Sequence, residues 1–243
     1  MVDADGGDGN QWTGFARKLF TSLALLVLEA GPRLGWKQSI GQVYRIINSE
    51  DDLLKVLNQA IEKEEENGSL SDECKGALRA FTRQPEKQRE GTITTLDGAL
   101  QLWQSPLVDI ATSDSDVDFR TFRVTPQSLY LVSNNSDLRK LSALFKLVFQ
   151  TLITVNSNKT KQDDPRLQVP LLLLMDEFLS LGKMPHVVHA MSYVRGYGIR
   201  LAPVLQSPSQ LVSVYGQADT DAFLENTDVR IVFRPKAESA KKI

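Results

Sequence analysis

Apolar positions in the first half of the chain recur every three or four residues, which is the spacing of an amphipathic helix. Five such stretches predict five helices, at residues 15–30, 40–47, 53–61, 70–81 and 93–103. No alternation of apolar and polar residues, the pattern of a half-buried strand, reaches a useful length before residue 115. The Asp/Gly-rich start predicts a linker at residues 1–11. We therefore predict an all-alpha domain over residues 12–115.

The pattern changes after a polar segment at residues 112–118, which predicts a domain boundary. Beyond it, short apolar runs alternate with helical spacing, and this order is typical of an α/β fold with a mainly parallel sheet. Strands are predicted at residues 128–133, 169–175, 199–205 and 229–233, and helices at 138–152, 185–195, 211–215 and 219–225. The run at 169–175 is apolar throughout, which predicts a strand buried on both faces.

Two adjacent acids, Asp176 and Glu177, follow this apolar strand directly. Ligands of open parallel sheets bind at the carboxyl ends of the strands. Mg²⁺ takes one or two carboxylates and fills its remaining positions with phosphate oxygens and water. In this hypothesis Asp176 holds the metal, and Glu177 polarises the water that attacks the γ-phosphate of a nucleotide. The pattern is that of a Walker B motif, and the alternative is a buried strand that meets an acidic turn by chance.

A glutamine and two arginines near the next predicted strand extend this hypothesis. Gln206 ends that strand, so in a parallel sheet it lies beside the acids, where it can sense the γ-phosphate or orient water; an ordinary turn glutamine is the alternative. Arg195 ends the predicted helix that returns to the opposite edge of the sheet, from which it can reach a neighbouring subunit's phosphates. The alternative is a cation that satisfies the helix dipole. Arg200 competes with Arg195 for the role of trans arginine.

The chain resembles the type IV secretion coupling proteins, the conjugative DNA-transfer ATPases of the TraG/TraD kind, in five segments: NQWTGFARKLFTSLALLVLE, SLYLVSNNSDLRKLSALFKLVFQTLI, LLLLMDEFLSLGKMP, VRGYGIRLAPVLQSPSQLVSVYG and NTDVRIVF. The resemblance is strongest at residues 171–216. It implies that residues 116–243 are the later part of a RecA-like nucleotide-binding domain and that the all-helical domain is inserted on its N-terminal side. It also implies Asp176 and Glu177 as Walker B acids, Arg195 as the trans arginine and Gln206 as the glutamine of a third motif.

The resemblance implies ATP and Mg²⁺ as cofactors of the full-length protein. It further implies a homohexamer at the cytoplasmic face of the bacterial inner membrane. Such a protein recruits relaxase-bound single-stranded DNA, or a protein substrate, and feeds it to a secretion channel. Its partners are the relaxase–DNA complex, the channel ATPases and inner-membrane components. Two alternatives stay open: another RecA-like DNA motor, such as a helicase or packaging ATPase, and a non-enzymatic adaptor that recruits cargo.

The sequence departs from the family in its phosphate-binding loop. No G-x-x-x-x-G-K-[ST] pattern occurs, and Gly182-Lys183 is followed by Met184 in a loop after the acids. The backbone cradle for phosphates and its lysine are therefore missing. We expect the Walker A motif and a transmembrane segment to precede residue 1, and we expect this chain alone not to hydrolyse ATP.

Composition adds two points. The 243 residues carry a net charge of −2 and one cysteine, which excludes a disulfide framework, and no apolar run approaches the roughly 20 residues of a membrane span. We therefore expect a soluble chain. Lys75, Arg79 and Arg83 recur every four residues and so share one helix face. This face either contacts nucleic acid or is simply solvated.

Overall fold

The structure is a computed structural model that describes residues 7–66 and 70–233. The chain divides into two compact units, Met1–Asp116 and Val117–Ile243. The division falls within the polar segment at residues 112–118.

The described residues of the first unit form helices and connecting turns, with no strand among them. Its helices are α1 (Gly7–Glu29), α2 (Gly31–Leu34), α3 (Ile40–Ile47), α4 (Leu53–Glu66), α5 (Asp72–Thr82), α6 (Glu86–Leu100) and α7 (Pro106–Thr112), with a 3-10 turn at Gln101–Gln104. Helix α1 packs against α5 and α6. Its core residues Leu19, Leu23 and Leu26 are at most 1% exposed. The predicted all-helical character of this region is confirmed.

The linker predicted at residues 1–11 differs from the structure, because α1 already begins at Gly7. Residues 1–6 lie outside the described part of the chain. Extending a formed helix adds one hydrogen bond for each residue fixed, so a helix can continue past its last apolar residue. Trp12 anchors this end of α1, since its ring lies against Gly91 of α6.

The second unit contains a small parallel sheet and four helices among its described residues. The elements are α8 (Asn135–Asn156), β1 (Leu171–Met175), α9 (Pro185–Ala190), β2 (Ile199–Pro203), α10 (Pro208–Tyr215) and α11 (Gln217–Glu225), with 3-10 turns at Phe119–Thr121, Phe178–Leu181 and Val194–Tyr197. Strands β1 and β2 pair in parallel, from Leu171 opposite Ile199 to Met175 opposite Pro203. The predicted α/β class is confirmed.

One face of β1 carries the core of this unit. Leu171, Leu173 and Met175 are buried among side chains from all four helices. Leu172 and Leu174 are 60% and 61% exposed. The prediction of a strand buried on both faces is therefore wrong for this structure, because within the described residues the helices supply side chains to one face only.

Two of the four predicted strands have no ladder partner in the described part of the chain. At residues 128–133, Leu129 and Leu131 pack on the core while Tyr130 and Val132 are 82% and 85% exposed, so burial alternates as in a strand. Residues 229–233 form no helix or strand, and their apolar side chains are exposed. Both strand predictions are wrong because a strand also needs a neighbour's N–H and C=O groups, which the spacing of apolar residues does not reveal.

The helix predicted at residues 185–195 is shorter than expected. Helix α9 ends at Ala190, and a separate 3-10 turn carries Arg195. The break occurs at Tyr193, whose backbone leaves the helical region at φ −130 and ψ −23.

A buried arginine fixes the entry to β1. Arg123 is 1% exposed, and its Nη1 donates to the carbonyls of Asn156 at 2.9 Å and Lys159 at 2.7 Å. Its own carbonyl accepts from the N–H of Val169 at 3.0 Å, two residues before β1. Burial lowers the pKa of Arg123 below its usual value.

Among the described residues, no helix has the length and apolar character needed to cross a membrane.

Candidate functional site

The carboxyl ends of β1 and β2 bring two of the predicted site residues together. Nε2 of Gln206 donates to Oε1 of Glu177 at 3.5 Å. The two strand ends are also joined by the backbone, since the N–H of Val204 donates to the carbonyl of Met175 at 2.9 Å and the N–H of Phe178 donates to the carbonyl of Val204 at 3.3 Å. Backbone hydrogen bonds at the ends of the two strands therefore hold Glu177 and Gln206 close together.

Glu177 occupies a strained backbone conformation. Its φ of 52 and ψ of 41 lie in the left-handed region, and no other non-glycine residue of the described chain has a positive φ. Such a conformation costs on the order of 1–3 kcal/mol and persists only where the surroundings impose it. Here the next residue, Phe178, is fully buried between Tyr215 and Phe223, with ring centroids 6.0 and 5.9 Å away. The buried ring pins the chain and leaves the Glu177 carboxylate exposed in the turn.

The two acids retain oxygen atoms for a ligand. Oδ1 of Asp176 accepts from the N–H of Glu177 at 3.1 Å, and Oε2 of Glu177 lies 3.4 Å from Oγ of Ser180. Both side chains are exposed. No cluster of three or more metal-binding side chains occurs in the described residues. Two adjacent carboxylates suit Mg²⁺, which takes few protein ligands when phosphates and water supply the others.

An open cleft of about 660 Å³ adjoins Glu177 and Gln206. Its other wall is the first part of α8, with Leu138, Arg139 and Ser142. A smaller recess of about 350 Å³ lies on the side of α10 and is lined by Gln210 among others. Sequence reasoning missed both Arg139 and Gln210. Two features of the sequence could have indicated them: Arg139 follows shortly after an apolar run, and Gln210 lies four residues after Gln206.

The two candidate arginines lie away from the acids of their own chain. Arg195 precedes β2 whereas Gln206 follows it, and the five residues of β2 rise about 13 Å between them. Nη1 of Arg195 contacts both carboxylate oxygens of Asp228 at 3.1 Å, and this pair is exposed. Arg200 stands beside Leu172 in the ladder, and its Nη1 donates to the carbonyl of Ile199 at 3.3 Å.

The three basic residues of the first unit lie along α5. Nζ of Lys75 forms an ion pair with Asp72 at 2.9 Å, and the Lys75 side chain is only 24% exposed. Arg79 is exposed on the last turn of the helix, and Arg83 is the exposed residue that caps its end. Arg79 and Arg83 are therefore more exposed to solvent than Lys75.

A model of the family described as type IV secretory system conjugative DNA transfer matches residues 1–243, the whole chain. The chain belongs to this family. The predicted resemblance to type IV coupling proteins is thereby confirmed.

Relatives of known name extend the comparison. Protein VirD4 of Rhizobium radiobacter is 30% identical over 232 residues, which cover 95% of this chain and 32% of VirD4. The conjugal transfer protein TraG of Escherichia coli is 26% identical over 175 residues, which cover 69% of this chain and 28% of TraG. The chain thus spans about a third of the length of these relatives.

Solved structures of a coupling protein share the fold. The bacterial conjugative coupling protein TrwBdeltaN70 in its unbound monoclinic form superposes with a TM-score of 0.56 at 21% identity, over 93% of this chain and 47% of that one. TrwB in complex with the non-hydrolysable ATP analogue ADPNP gives a TM-score of 0.54 at 20% identity, over 91% and 52%. This likeness confirms a partial RecA-like α/β fold with an all-helical domain on the N-terminal side.

Proposed function

We propose that this chain forms part of an ATP-driven coupling protein. The complete protein recruits relaxase-bound single-stranded DNA, or a protein substrate, and feeds it to a type IV secretion channel. The observation that carries the proposal is the juxtaposition of Glu177 and Gln206 at 3.5 Å beside an open cleft, with Glu177 held in a left-handed conformation. The family membership and the names of VirD4, TraG and TrwB support it.

The residues that follow β1 and β2 have separate roles in this proposal. Asp176 supplies carboxylate oxygen atoms for Mg²⁺ beside the nucleotide. Glu177 accepts the proton of the attacking water, and Gln206 donates its amide N–H to Glu177 until a phosphate or a water competes for that donor. Mg²⁺, when bound, supplies positive charge that offsets the charge of the phosphates. The TrwB structures titled as complexes with ADP and Mg²⁺ and with ADPNP support ATP and Mg²⁺ as the cofactors.

The arginine of the neighbouring subunit completes the site in this proposal. Arg195 lies at the opposite end of β2 from Gln206, so in a homohexameric ring it is placed for the next subunit's nucleotide rather than for its own. Within its own chain, its guanidinium contacts Asp228 at 3.1 Å. Arg200, which is exposed beside Leu172 in the ladder, remains the competing candidate.

We also propose the cytoplasmic face of the bacterial inner membrane as the place of action. The relaxase–DNA complex, the channel ATPases and inner-membrane components are the proposed partners. Lys75, Arg79 and Arg83 are proposed to contact nucleic acid, with Arg79 and Arg83 as the accessible members of this face. The ion pair of Lys75 with Asp72 makes its contribution the smallest of the three.

The decisive experiment is the substitution Glu177→Gln in the complete protein. We expect ATP hydrolysis and DNA transfer to fall by about 100-fold or more, since general-base catalysis contributes roughly 10²–10⁴-fold. Glu225→Gln, at the end of α11, makes the same charge change on an exposed helix outside the cleft and is expected to leave both rates unchanged. Both acids are exposed, so neither variant should alter the thermal unfolding temperature.

The same assay separates the two alternatives. Undiminished transfer with Asp176→Ala would favour a non-enzymatic adaptor over an ATP-driven motor. If the complete protein unwound or packaged DNA without a secretion channel, and Glu177→Gln abolished that activity, the result would favour another RecA-like motor.

A further inference from the structure

The side chain of Gln206 forms a hydrogen bond with that of a second glutamine, Gln210. Gln210 is exposed near the start of α10, and its Nε2 donates to Oε1 of Gln206 at 3.4 Å. Gln206 donates in turn from Nε2 to Oε1 of Glu177 at 3.5 Å. Two amides and one carboxylate thus form a hydrogen-bonded chain from α10 to the strained turn after β1.

The carboxylate fixes the direction of this chain. An ionised glutamate only accepts hydrogen bonds, so the NH₂ group of Gln206 must face Glu177. The carbonyl oxygen of Gln206 then points the other way and needs a donor, which Gln210 supplies. A half-turn of the Gln206 amide would set its oxygen against the Glu177 carboxylate and its NH₂ against the NH₂ of Gln210. The contact with the carboxylate would be repulsive whichever way the Gln210 amide turns, so Glu177 selects the orientation and Gln210 satisfies the carbonyl oxygen that this orientation presents.

The backbone of α10 holds Gln210 in place. Oγ of Ser207 caps the helix by accepting from the N–H of Gln210 at 3.4 Å. The carbonyl of Gln210 accepts from Oγ of Ser213 at 2.8 Å. The backbone of Gln210 is therefore fixed, and its side chain lines the smaller recess, which shares Glu177 and Gln206 with the larger cleft.

We propose that Gln210 is a positioning residue, which fixes the amide of Gln206 with its NH₂ group toward Glu177. Gln210 acts only through Gln206, since its side-chain hydrogen bond is to Gln206 and not to Glu177. Its consequence for hydrolysis rests on the proposed function, because a defined amide face matters only where Gln206 meets a phosphate or a water. The orientation itself depends on the three side chains alone and can be measured without turnover.

The first test observes the Gln206 side-chain amide by nitrogen-edited NMR in the 243-residue chain, with the signal assigned by its disappearance in Gln206→Ala. Gln210→Ala is expected to shift this NH₂ signal, since the amide loses the donor to its carbonyl. Gln210→Glu is expected to shift it further, because a carboxylate at position 210 accepts from the NH₂ group and draws it away from Glu177. Gln217→Glu makes the same charge change on α11 and should leave the signal in place. An unmoved Gln206 signal in both Gln210 variants would overturn the proposal.

The second test measures ATP hydrolysis by the complete protein. Gln210→Ala is expected to lower kcat about threefold to tenfold with little change in KM, as misplacement of a catalytic group does. In a Gln206→Ala background the same substitution is expected to have no further effect, since a positioning residue acts only through its target. Equal losses in both backgrounds would show a general structural role and contradict the proposal. Undiminished hydrolysis in Glu177→Gln would count against the proposed function alone, and the NMR signal would still decide the orientation.

Discussion

Helix α1 of the first unit and strand β1 of the second bury their leucines differently. Leu19, Leu23 and Leu26 of α1 are at most 1% exposed, because α5 and α6 close over them. On β1 the burial alternates, with Leu173 at 4% and Leu172 at 60%. Identical residues in adjacent positions of one strand therefore contribute unequally to stability. The comparison shows that α1 keeps Leu19, Leu23 and Leu26 on its covered face and leaves Leu28 54% exposed, whereas β1 places neighbouring leucines on a covered and an uncovered face.

The largest expected effect tests this one-sided burial. Leu173→Ala is expected to lower the free energy of unfolding by about 2–5 kcal/mol, because it leaves a cavity in a packed core. Leu172→Ala, one residue away on the outer face, is expected to change it by less than about 0.5 kcal/mol. Urea unfolding of the chain, followed by far-UV circular dichroism, measures both.

Tryptophan fluorescence supplies the control for that experiment. Trp12, Trp36 and Trp103 are the three tryptophans of the chain, and all of them precede residue 116. The urea midpoint measured by their fluorescence reports the unfolding of the helical unit and should not change in Leu173→Ala. Equal destabilisation by the two leucine variants would contradict the difference between the faces of β1.

The next effect concerns close packing in the helical unit. A Cβ at Gly91 would lie 2.5 Å from the Trp12 ring, so Gly91→Ala is expected to cost about 1–3 kcal/mol by overpacking. Gly98 is exposed on the same helix and has no atom within 4 Å of such a Cβ. Gly98→Ala is therefore expected to stabilise the unit by about 0.5–1 kcal/mol, since alanine favours helix. Tryptophan fluorescence during urea unfolding follows both variants, and a stabilising Gly91→Ala would mean that α1 and α6 do not approach as described.

Local spacing was enough to predict most of the elements. The described helices α3, α5 and α8 overlap their predicted ranges, and β1 and β2 lie within the runs predicted at 169–175 and 199–205. The proximity of Glu177 and Gln206 followed from one further rule, that parallel strands end at the same edge of a sheet. These features depend on neighbours in sequence or on chain direction, which the sequence shows.

Features that depend on distant neighbours could not be predicted in the same way. The sequence shows that Leu172 is apolar but not whether a second layer covers it. The left-handed turn at Glu177 arises because Phe178 is drawn between two rings that lie far along the chain. Residues 128–133 have the pattern of a strand, yet pairing requires backbone groups of a partner at the right register. The bond between Arg195 and Asp228 likewise joins residues that are 33 positions apart.

The smallest expected effect compares the two units at alkaline pH. Burial, helped by the charge of Glu29, raises the pKa of the Cys74 thiol from about 9 to about 12. In the other unit, burial raises the pKa of Tyr215 from about 10 to about 12, although its bond to the N–H of Met184 opposes this. Both groups become anions, and the unfolded chain releases these protons at lower pH than the folded chain. The stability that each protonated group contributes is therefore complete below its unfolded pKa and is lost as pH rises toward 12.

The order of loss distinguishes the units. Between pH 9 and pH 10 the Cys74 contribution already falls, by no more than about 1.4 kcal/mol per pH unit, while that of Tyr215 is still nearly complete. We expect the urea midpoint from tryptophan fluorescence to decline over this interval, and Cys74→Ala to flatten the decline. Tyr215→Phe should flatten only the loss above pH 10 seen by circular dichroism. If Cys74→Ala left the decline between pH 9 and pH 10 unchanged, the buried thiol would not set the alkaline limit of the helical unit.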